Sequence, residues 1–175
     1  YGGIVDTIIT RRVVTIMCIP TTLLSLTVVA AFGPNFRNLI IAMVVAYVPT
    51  TIRFVRGVVL TITEQDYIEA AKAYGATNTR IIFKYILPNA FGPIMVDSTQ
   101  AVGGVILTAS GLSYLGMGVQ PPDPEWGALL SSASDQFREA PYLILFPGLA
   151  IVLTAFAINL VGDGLRDALD PKLRD

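Results

Sequence analysis

The chain has 175 residues and a mass of 18.8 kDa, with 53% hydrophobic and only 14% charged residues. Soluble domains contain about 25% charged residues, so this composition, together with a mean hydropathy of +0.63, predicts an integral membrane protein. The net charge of −1 excludes nucleic-acid binding driven by bulk charge. Because the sequence has no His and one Cys, it excludes histidine relays and internal disulfides and disfavours metal sites with nitrogen or sulfur ligands.

Four apolar stretches have the length of a membrane-spanning helix, which needs about 20 residues. They cover residues 13–32, 38–60, 90–112 and 142–161. Gly33 and Pro34 end the first stretch, so the first two spans are expected to form an antiparallel pair. Turn-forming residues after the fourth stretch predict the end of its helix: Gly162, Asp163, Gly164, Asp170 and Pro171.

Lysine and arginine are distributed unevenly between the segments that connect these spans. Ten of the twelve fall on the side that holds both termini and residues 63–88, and the other two are Arg37 and Arg138. Basic residues accumulate on the cytoplasmic side of membrane proteins. We therefore expect both termini and residues 63–88 in the cytoplasm, and residues 113–141 outside.

Residues 63–88, between the second and third spans, carry a helix signal. Thr63 followed by Asp66 is a variant of the capping box and predicts a helix over 64–74. Four residues recur at helical spacing on one face of it: Tyr67, Ala70, Ala71 and Tyr74. Small and aromatic side chains together suit close contact with another surface. The alternative is an ordinary amphipathic loop lying on the membrane.

A turn and a second helix follow in the same segment. Gly75 suits the position after a helix that requires a positive φ. Thr77 or Asn78 can cap a second helix that runs to Leu87, and Pro88 either stops that helix or begins the next span.

Three strings of residues resemble one family. The string from Glu69 through Gly75 to Pro88 resembles the EAA loop of the membrane subunits of bacterial ABC importers, although Tyr85 stands where Ile is usual. The segments 112–127 and 159–171 resemble the dipeptide, oligopeptide and nickel permeases, in particular the second, C-type subunit. The resemblance implies an all-α, polytopic bundle with the type I importer permease fold. Such permeases have about six spans, so two helices would precede Tyr1.

The resemblance also implies partners and site residues. The EAA loop docks on ATPase subunits in that family, so the implied coupling residues are Asp66, Tyr67, Glu69, Ala70, Ala71, Tyr74, Gly75, Ala76, Leu87 and Pro88. The implied partners are a second permease subunit, two ABC ATPase subunits, an extracytoplasmic substrate-binding protein and the lipid bilayer of a bacterial or archaeal cell membrane. The sequence lacks a phosphate-binding loop motif, so we expect a transport subunit that binds no cofactor, with ATP and Mg held by the ATPases.

Asp97 is the acidic residue within the third predicted span. Carboxylates in membrane helices are costly and normally face the bundle interior or water. With Ser98 and Gln100 it marks a polar patch that would line the translocation path. The alternatives are an interhelical hydrogen bond or pairing with Arg53 or Arg56. Near the carboxyl end, Arg166 is expected to pair locally with Asp163 or Asp170, and the alternative is that these residues help to hold the segment 63–88.

Peptides are the favoured substrate, because the lack of His and the single Cys disfavour a metal site. A permease for nickel or another small solute is the alternative within the family. An ion-gradient-driven transporter or channel is the alternative from another class, and it would need more ionisable residues inside the membrane.

Overall fold

The structure is a computed structural model that describes residues 3–169. Within this range the chain is helical, without strands, as predicted for the all-α class. A π-helix, Ile82–Ile86, joins α5 to α6 without interruption, and a 3-10 turn, Ser134–Gln136, follows α7. The eight α-helices are α1 Ile4–Met17, α2 Thr21–Phe32, α3 Phe36–Thr63, α4 Asp66–Ala73, α5 Asn78–Ile81, α6 Leu87–Tyr114, α7 Trp126–Ala133 and α8 Tyr142–Leu169.

Three helical segments in the described range are long and apolar enough to cross a membrane. They are α3, the continuous segment Asn78–Tyr114 that contains α6, and α8. Each overruns the apolar stretch from which it was predicted, because polar residues at its ends continue the helix. The clearest case is α8, which runs through Gly162 and Gly164 to Leu169, although these glycines were expected to end it.

The first apolar stretch differs from the straight helix expected over 13–32. It contains two helices, α1 and α2, that are bent by 86° relative to each other, and α1 already begins at Ile4. Pro20 precedes α2 with an extended ψ of 133°. A proline has no N–H to donate and disfavours helical backbone in the residue before it, so the helix breaks there. Counting the bent pair as one span brings the candidate spans to four.

The predicted antiparallel pair is formed by α2 and α3. Gly33 adopts a φ of +92° in the turn between them. The Asn35 side chain accepts a hydrogen bond from the Asn38 backbone N–H at 2.9 Å and so caps α3. The Asn38 amide in turn donates to the Phe32 carbonyl at 2.7 Å. At the end of the bundle that holds this turn lies a buried cluster from α2, α3, the end of α6 and the segment after it: Val29, Leu39, Ala42, Met43, Leu112 and Val119.

Helices α6 and α8 pack antiparallel along their length, and small residues let them approach closely. A Cβ built on Gly103 of α6 would lie 2.8 Å from the Asn159 side-chain oxygen of α8. A Cβ on Gly162 would lie 3.1 Å from Gln100. Gly162 therefore serves the close packing of α8 on α6, and it does not end the helix.

The segment after α6 folds back onto the bundle. Its helix is α7, which covers Trp126–Ala133. The Glu125 carboxylate caps it by accepting the Ala128 N–H at 2.7 Å. α7 packs against both α6 and α8, with Gly127 directly on the backbone of Ser110. The segment thereby closes one end of the α6–α8 pair.

Gly127→Ala is expected to destabilise this contact by about 1–3 kcal/mol, because overpacking a tight interface forces the backbone apart. The added Cβ would overlap the carbonyl group of Ser110, which is backbone and cannot rotate away. The measurement is the unfolding temperature of the full-length protein in its purified complex. Gly111→Ala is the matched control, since a Cβ there meets nothing within 4 Å. Equal unfolding temperatures for the two variants would contradict the packing described.

Candidate functional site

α4 is held between the end of α3 and the start of α5, at one end of the bundle. The predicted capping box at its start is wrong. Thr63 is the last residue of α3, and its hydroxyl donates to the Leu60 carbonyl at 2.9 Å. Gln65 takes the N-cap position without a side-chain hydrogen bond, so α4 begins at Asp66. The threonine hydroxyl is already used within α3, which extends to Thr63.

One side of α4 is anchored in the protein. Ile68 is fully buried, with 0% of its surface exposed, and Ala71 is also buried. Sequence reasoning singled out Ala71 but missed Ile68. The signal was present in the sequence, because Ile68 lies three residues before Ala71 and is the large aliphatic residue of the helix.

The residues expected on one face of α4 line a single groove of about 390 Å³. Tyr74 is 92% exposed and Tyr67 is 42% exposed at its rim. We name this surface the α4 groove; its lining residues are Tyr67, Ala70, Ala71, Tyr74, Gly75, Ala76, Arg80 and Tyr85. Two large aromatic rings around small side chains leave room for a side chain of another protein. Asp66 and Glu69 lie in the first turn of α4 and do not line this groove.

The turn after α4 has the geometry predicted from Gly75. This glycine has a φ of +77°. The Ala76 N–H donates to the Ala71 carbonyl at 3.0 Å, and the Gly75 N–H donates to the Lys72 carbonyl at 2.9 Å. These two bonds form a Schellman motif. Of the two predicted caps for α5, the structure uses Thr77, whose hydroxyl accepts the Arg80 N–H at 3.4 Å.

From α5 the chain continues as one helix into α6. Pro88 therefore begins the next span rather than ending the previous helix, and it lies in the first turn of α6. The preceding π turn is closed by a bond from the Leu87 N–H to the Ile82 carbonyl. A proline has no N–H to donate to the helix. It follows a π turn, where the backbone hydrogen bonds already depart from the regular i to i−4 pattern. The helix that carries Asp97 is thus continuous with the turn after α4.

Arg56 joins α1 to α3 near the α4 end. Its Nε donates to one carboxylate oxygen of Asp6 and its terminal nitrogen to the other, both at 2.7 Å. Two parallel bonds of this kind fix orientation as well as distance. Arg56 is therefore engaged with Asp6 and is not the partner considered for Asp97.

Only part of the predicted polar patch on α6 faces a groove. Asp97 and Gln100 line a groove of about 720 Å³ between α6, α8 and α3, whereas Ser98 does not. The Gln100 amide also donates to the Asp163 carboxylate at 3.0 Å, so the interhelical hydrogen bond considered for Asp97 is made by its neighbour. We name this cavity the α6–α8 groove.

Most other residues of the α6–α8 groove were not predicted to lie there, among them Phe54 and Arg166. Arg166 was expected to pair locally with Asp163 or Asp170. Among residues 3–169 it forms no such ion pair, and Asp170 lies outside the described residues. Nothing in the order of residues gives the register of α8 on α6, so Arg166 could be placed here only by the structure.

Several long apolar helices joined by short polar segments define a multi-pass, helical membrane protein. The family of binding-protein-dependent transport system inner membrane components matches residues 1–175, and the chain belongs to this family.

Relatives with assigned names agree with this family. A dipeptide transport system permease, DppC, of Alkalihalophilus pseudofirmus is 44% identical over 99% of this chain and 57% of its own length. A glutathione transport system permease, GsiD, of Pectobacterium atrosepticum is 44% identical over 99% of this chain and 58% of its own. A di/tripeptide transport system permease, DppC, of Pseudomonas aeruginosa is 42% identical over 96% of this chain and 55% of its own length. The chain thus spans a little over half the length of the curated relatives it matches.

These similarities confirm the resemblance drawn from the sequence. The all-α, type I importer permease fold and the C-type permease subunit are the correct class. The relatives are named as transport system permeases, and the chain belongs to the family of inner membrane components that matches its whole length.

Asp6→Asn is expected to loosen α1 from α3, because the arginine then loses a charged acceptor. Hydrogen exchange of the α1 backbone amides in the full-length complex should become faster, while that of α8 should not change. The double variant Asp6→Arg with Arg56→Asp should restore slow exchange, and Asp135→Asn, an exposed acid after α7, serves as the control. Unchanged exchange in both single and double variants would show that the ion pair does not hold α1.

Proposed function

We propose that this chain is part of the membrane-spanning subunit of an ATP-driven importer of peptides. The full subunit forms half of the translocation path, and a second, similar permease subunit forms the other half. Two ABC ATPase subunits bind ATP and Mg, and an extracytoplasmic binding protein delivers the substrate. The names of the relatives support peptides as cargo, since dipeptide, di/tripeptide and glutathione permeases all resemble the chain at 42–44% identity.

The observation that carries this proposal is the α4 groove. The helix is anchored by one buried side, at Ile68, and presents two exposed tyrosines on the other. A short helix that is rigidly held yet exposes aromatic rings has the features of a contact surface for a partner protein. We assign this contact to an ATPase subunit, with Tyr67 and Tyr74 as the main contact residues. Ala70, Ala71 and Ala76 leave space for its side chains.

The residues around the groove have separate roles in this proposal. Asp66 and Glu69 lie in the first turn of α4, where negatively charged side chains stabilise the helix by interacting with its dipole. Gly75 sets the turn direction, and Leu87 and Pro88 mark where the coupling segment passes into α6. The segment 63–88 faces the cytoplasm and residues 113–141 face the outside. This orientation follows the distribution of basic residues, because Arg80 and Lys84 lie beside α4 whereas Arg37 starts α3 at the opposite end.

Coupling is then a shift between two arrangements rather than chemistry on this chain. When ATP closes the ATPase pair, the docked α4 moves with it. α4 is connected to α3 on one side and to the continuous segment that contains α6 on the other. Both long helices are displaced together, and the path changes from inward-facing to outward-facing. The free energy comes from contacts that the ATPases make differently in the two states.

Gly75→Pro is expected to abolish ATP-dependent peptide uptake by the reconstituted transporter while leaving membrane insertion intact. Proline fixes φ near −65°, cannot adopt the positive φ of the turn, and removes the N–H that bonds to Lys72. Gly75→Asn is the matched control and should retain much of the uptake, because asparagine tolerates positive φ.

Three outcomes separate the candidate functions. Normal peptide uptake by Gly75→Pro would contradict the coupling role of the turn. Uptake that survives ATP depletion and stops when the proton gradient is collapsed would favour the ion-gradient-driven transporter. ATP-driven uptake of nickel or another small solute, with none of peptides, would keep the coupling proposal and replace the substrate.

A further inference from the structure

The α6–α8 groove has a charge pattern that coupling to an ATPase does not explain. One wall carries an acidic side chain, Asp97 on α6, and another carries a basic one, Arg166 on α8. Phe54 and Phe91 contribute apolar surface between α3 and α6. A groove with both signs of charge and aromatic surface matches a ligand that is itself zwitterionic and partly apolar.

The register of the two helices places the opposite charges at the same level. α6 and α8 run antiparallel and are joined where Gln100 donates to Asp163 at 3.0 Å. Asp97 lies three residues before Gln100 on α6, and Arg166 lies three residues after Asp163 on α8. Because the helices are antiparallel, both steps lead toward the α4 end of the bundle. Residues three apart on a helix lie on nearly the same face. Both charged side chains therefore face the groove about one turn from the hydrogen bond.

Asp97 and Arg166 are nevertheless not in contact with each other. Within residues 3–169 the one ion pair closer than 4 Å is that between Asp6 and Arg56. The groove between the helices has a volume of about 720 Å³, inside the range of roughly 300–1,000 Å³ that is typical of small-molecule sites. Two opposite charges that share such a space without meeting leave room for a ligand between them.

Building on the proposed peptide transport, we propose that the α6–α8 groove is a transit site for short peptides with free termini. The carboxylate of Asp97 binds the terminal ammonium group of the peptide, and the guanidinium of Arg166 binds its terminal carboxylate. A planar guanidinium suits a carboxylate because it donates two parallel hydrogen bonds. The groove is open, so water screens both charges and keeps binding weak enough for release.

The test measures occupancy of the groove directly, and substitutions of Asp97 and Arg166 distinguish it from the selectivity of the binding protein. The full-length permease is reconstituted with its ATPases and binding protein, with Cys18→Ser and other reactive cysteines replaced, and Val96→Cys is introduced as a reporter. Val96 lines the groove next to Asp97. The rate at which N-ethylmaleimide labels this thiol is then measured with dialanine, N-acetyl-dialanine or dialanine amide present.

Dialanine should slow labelling at concentrations about tenfold lower than either blocked peptide, because each blocked form loses one charged contact. In Asp97→Asn, N-acetyl-dialanine should slow labelling as well as dialanine does, because the partner of the ammonium group is gone. In Arg166→Gln, dialanine amide should slow labelling as well as dialanine does, because the partner of the carboxylate is gone. Asp167→Asn, an exposed acid on the same helix that does not line the groove, should keep the discrimination of the unaltered chain.

Two results would overturn the transit site. One is labelling that dialanine does not slow, and the other is discrimination between free and blocked peptides that persists in Asp97→Asn and Arg166→Gln. ATPase activity stimulated by the loaded binding protein, measured on each variant, shows whether the complex is folded. Peptide uptake by the unaltered complex separates the two proposals: uptake without protection refutes the transit site alone, and no peptide uptake refutes the proposed function.

Discussion

The close approach of α6 and α8 is the constraint on which the α6–α8 groove depends. Gly103 of α6 and Gly162 of α8 each lie so close to a polar side chain of the opposite helix that a larger residue would require that side chain to shift. In a membrane, helices gain little from burying apolar surface against each other, so close backbone packing and interhelical hydrogen bonds hold them together. The bond from Gln100 to Asp163 supplies the second kind of contact. Together they fix the register that brings Asp97 level with Arg166.

The sequence predicts where the long helices lie better than it predicts where they end. Hydropathy located α3, α6 and α8 correctly, because apolar runs of this length are typical of helices that cross a bilayer. It ended the last helix at 161, since Gly162, Asp163 and Gly164 have the composition of a turn. A glycine used for packing and a glycine used for a turn look identical in a sequence. They differ only in what lies opposite, and that is a property of tertiary structure.

The segment 63–88 was predicted more completely than the bundle. Gly75 and Thr77 act locally, through hydrogen bonds within a few residues, so the sequence predicted the turn and narrowed the second cap to Thr77 or Asn78. The start of α4 was mistaken because Thr63 can bond either forward or back along the chain, and α3 takes it. The bend at Pro20 was missed because hydropathy counts apolar residues without regard to whether they can continue a helix.

α4 is connected to the bundle by two routes of different strength. The difference decides which helices would move together when α4 is displaced. Through α5 and the π turn it reaches α6, which is locked to α8 by close glycine packing. Through α3 it reaches α1 by the pair of Asp6 and Arg56, whose side chains are 32% and 40% exposed. Exposed ion pairs are screened by water and can break and re-form, whereas packed backbones cannot separate without leaving a void. Under the proposed coupling, α6 and α8 therefore move as one body and carry the groove with them. At α1 the ion pair can yield, whereas α2 is held to that body by the buried cluster that Val29 forms with α3 and Leu112.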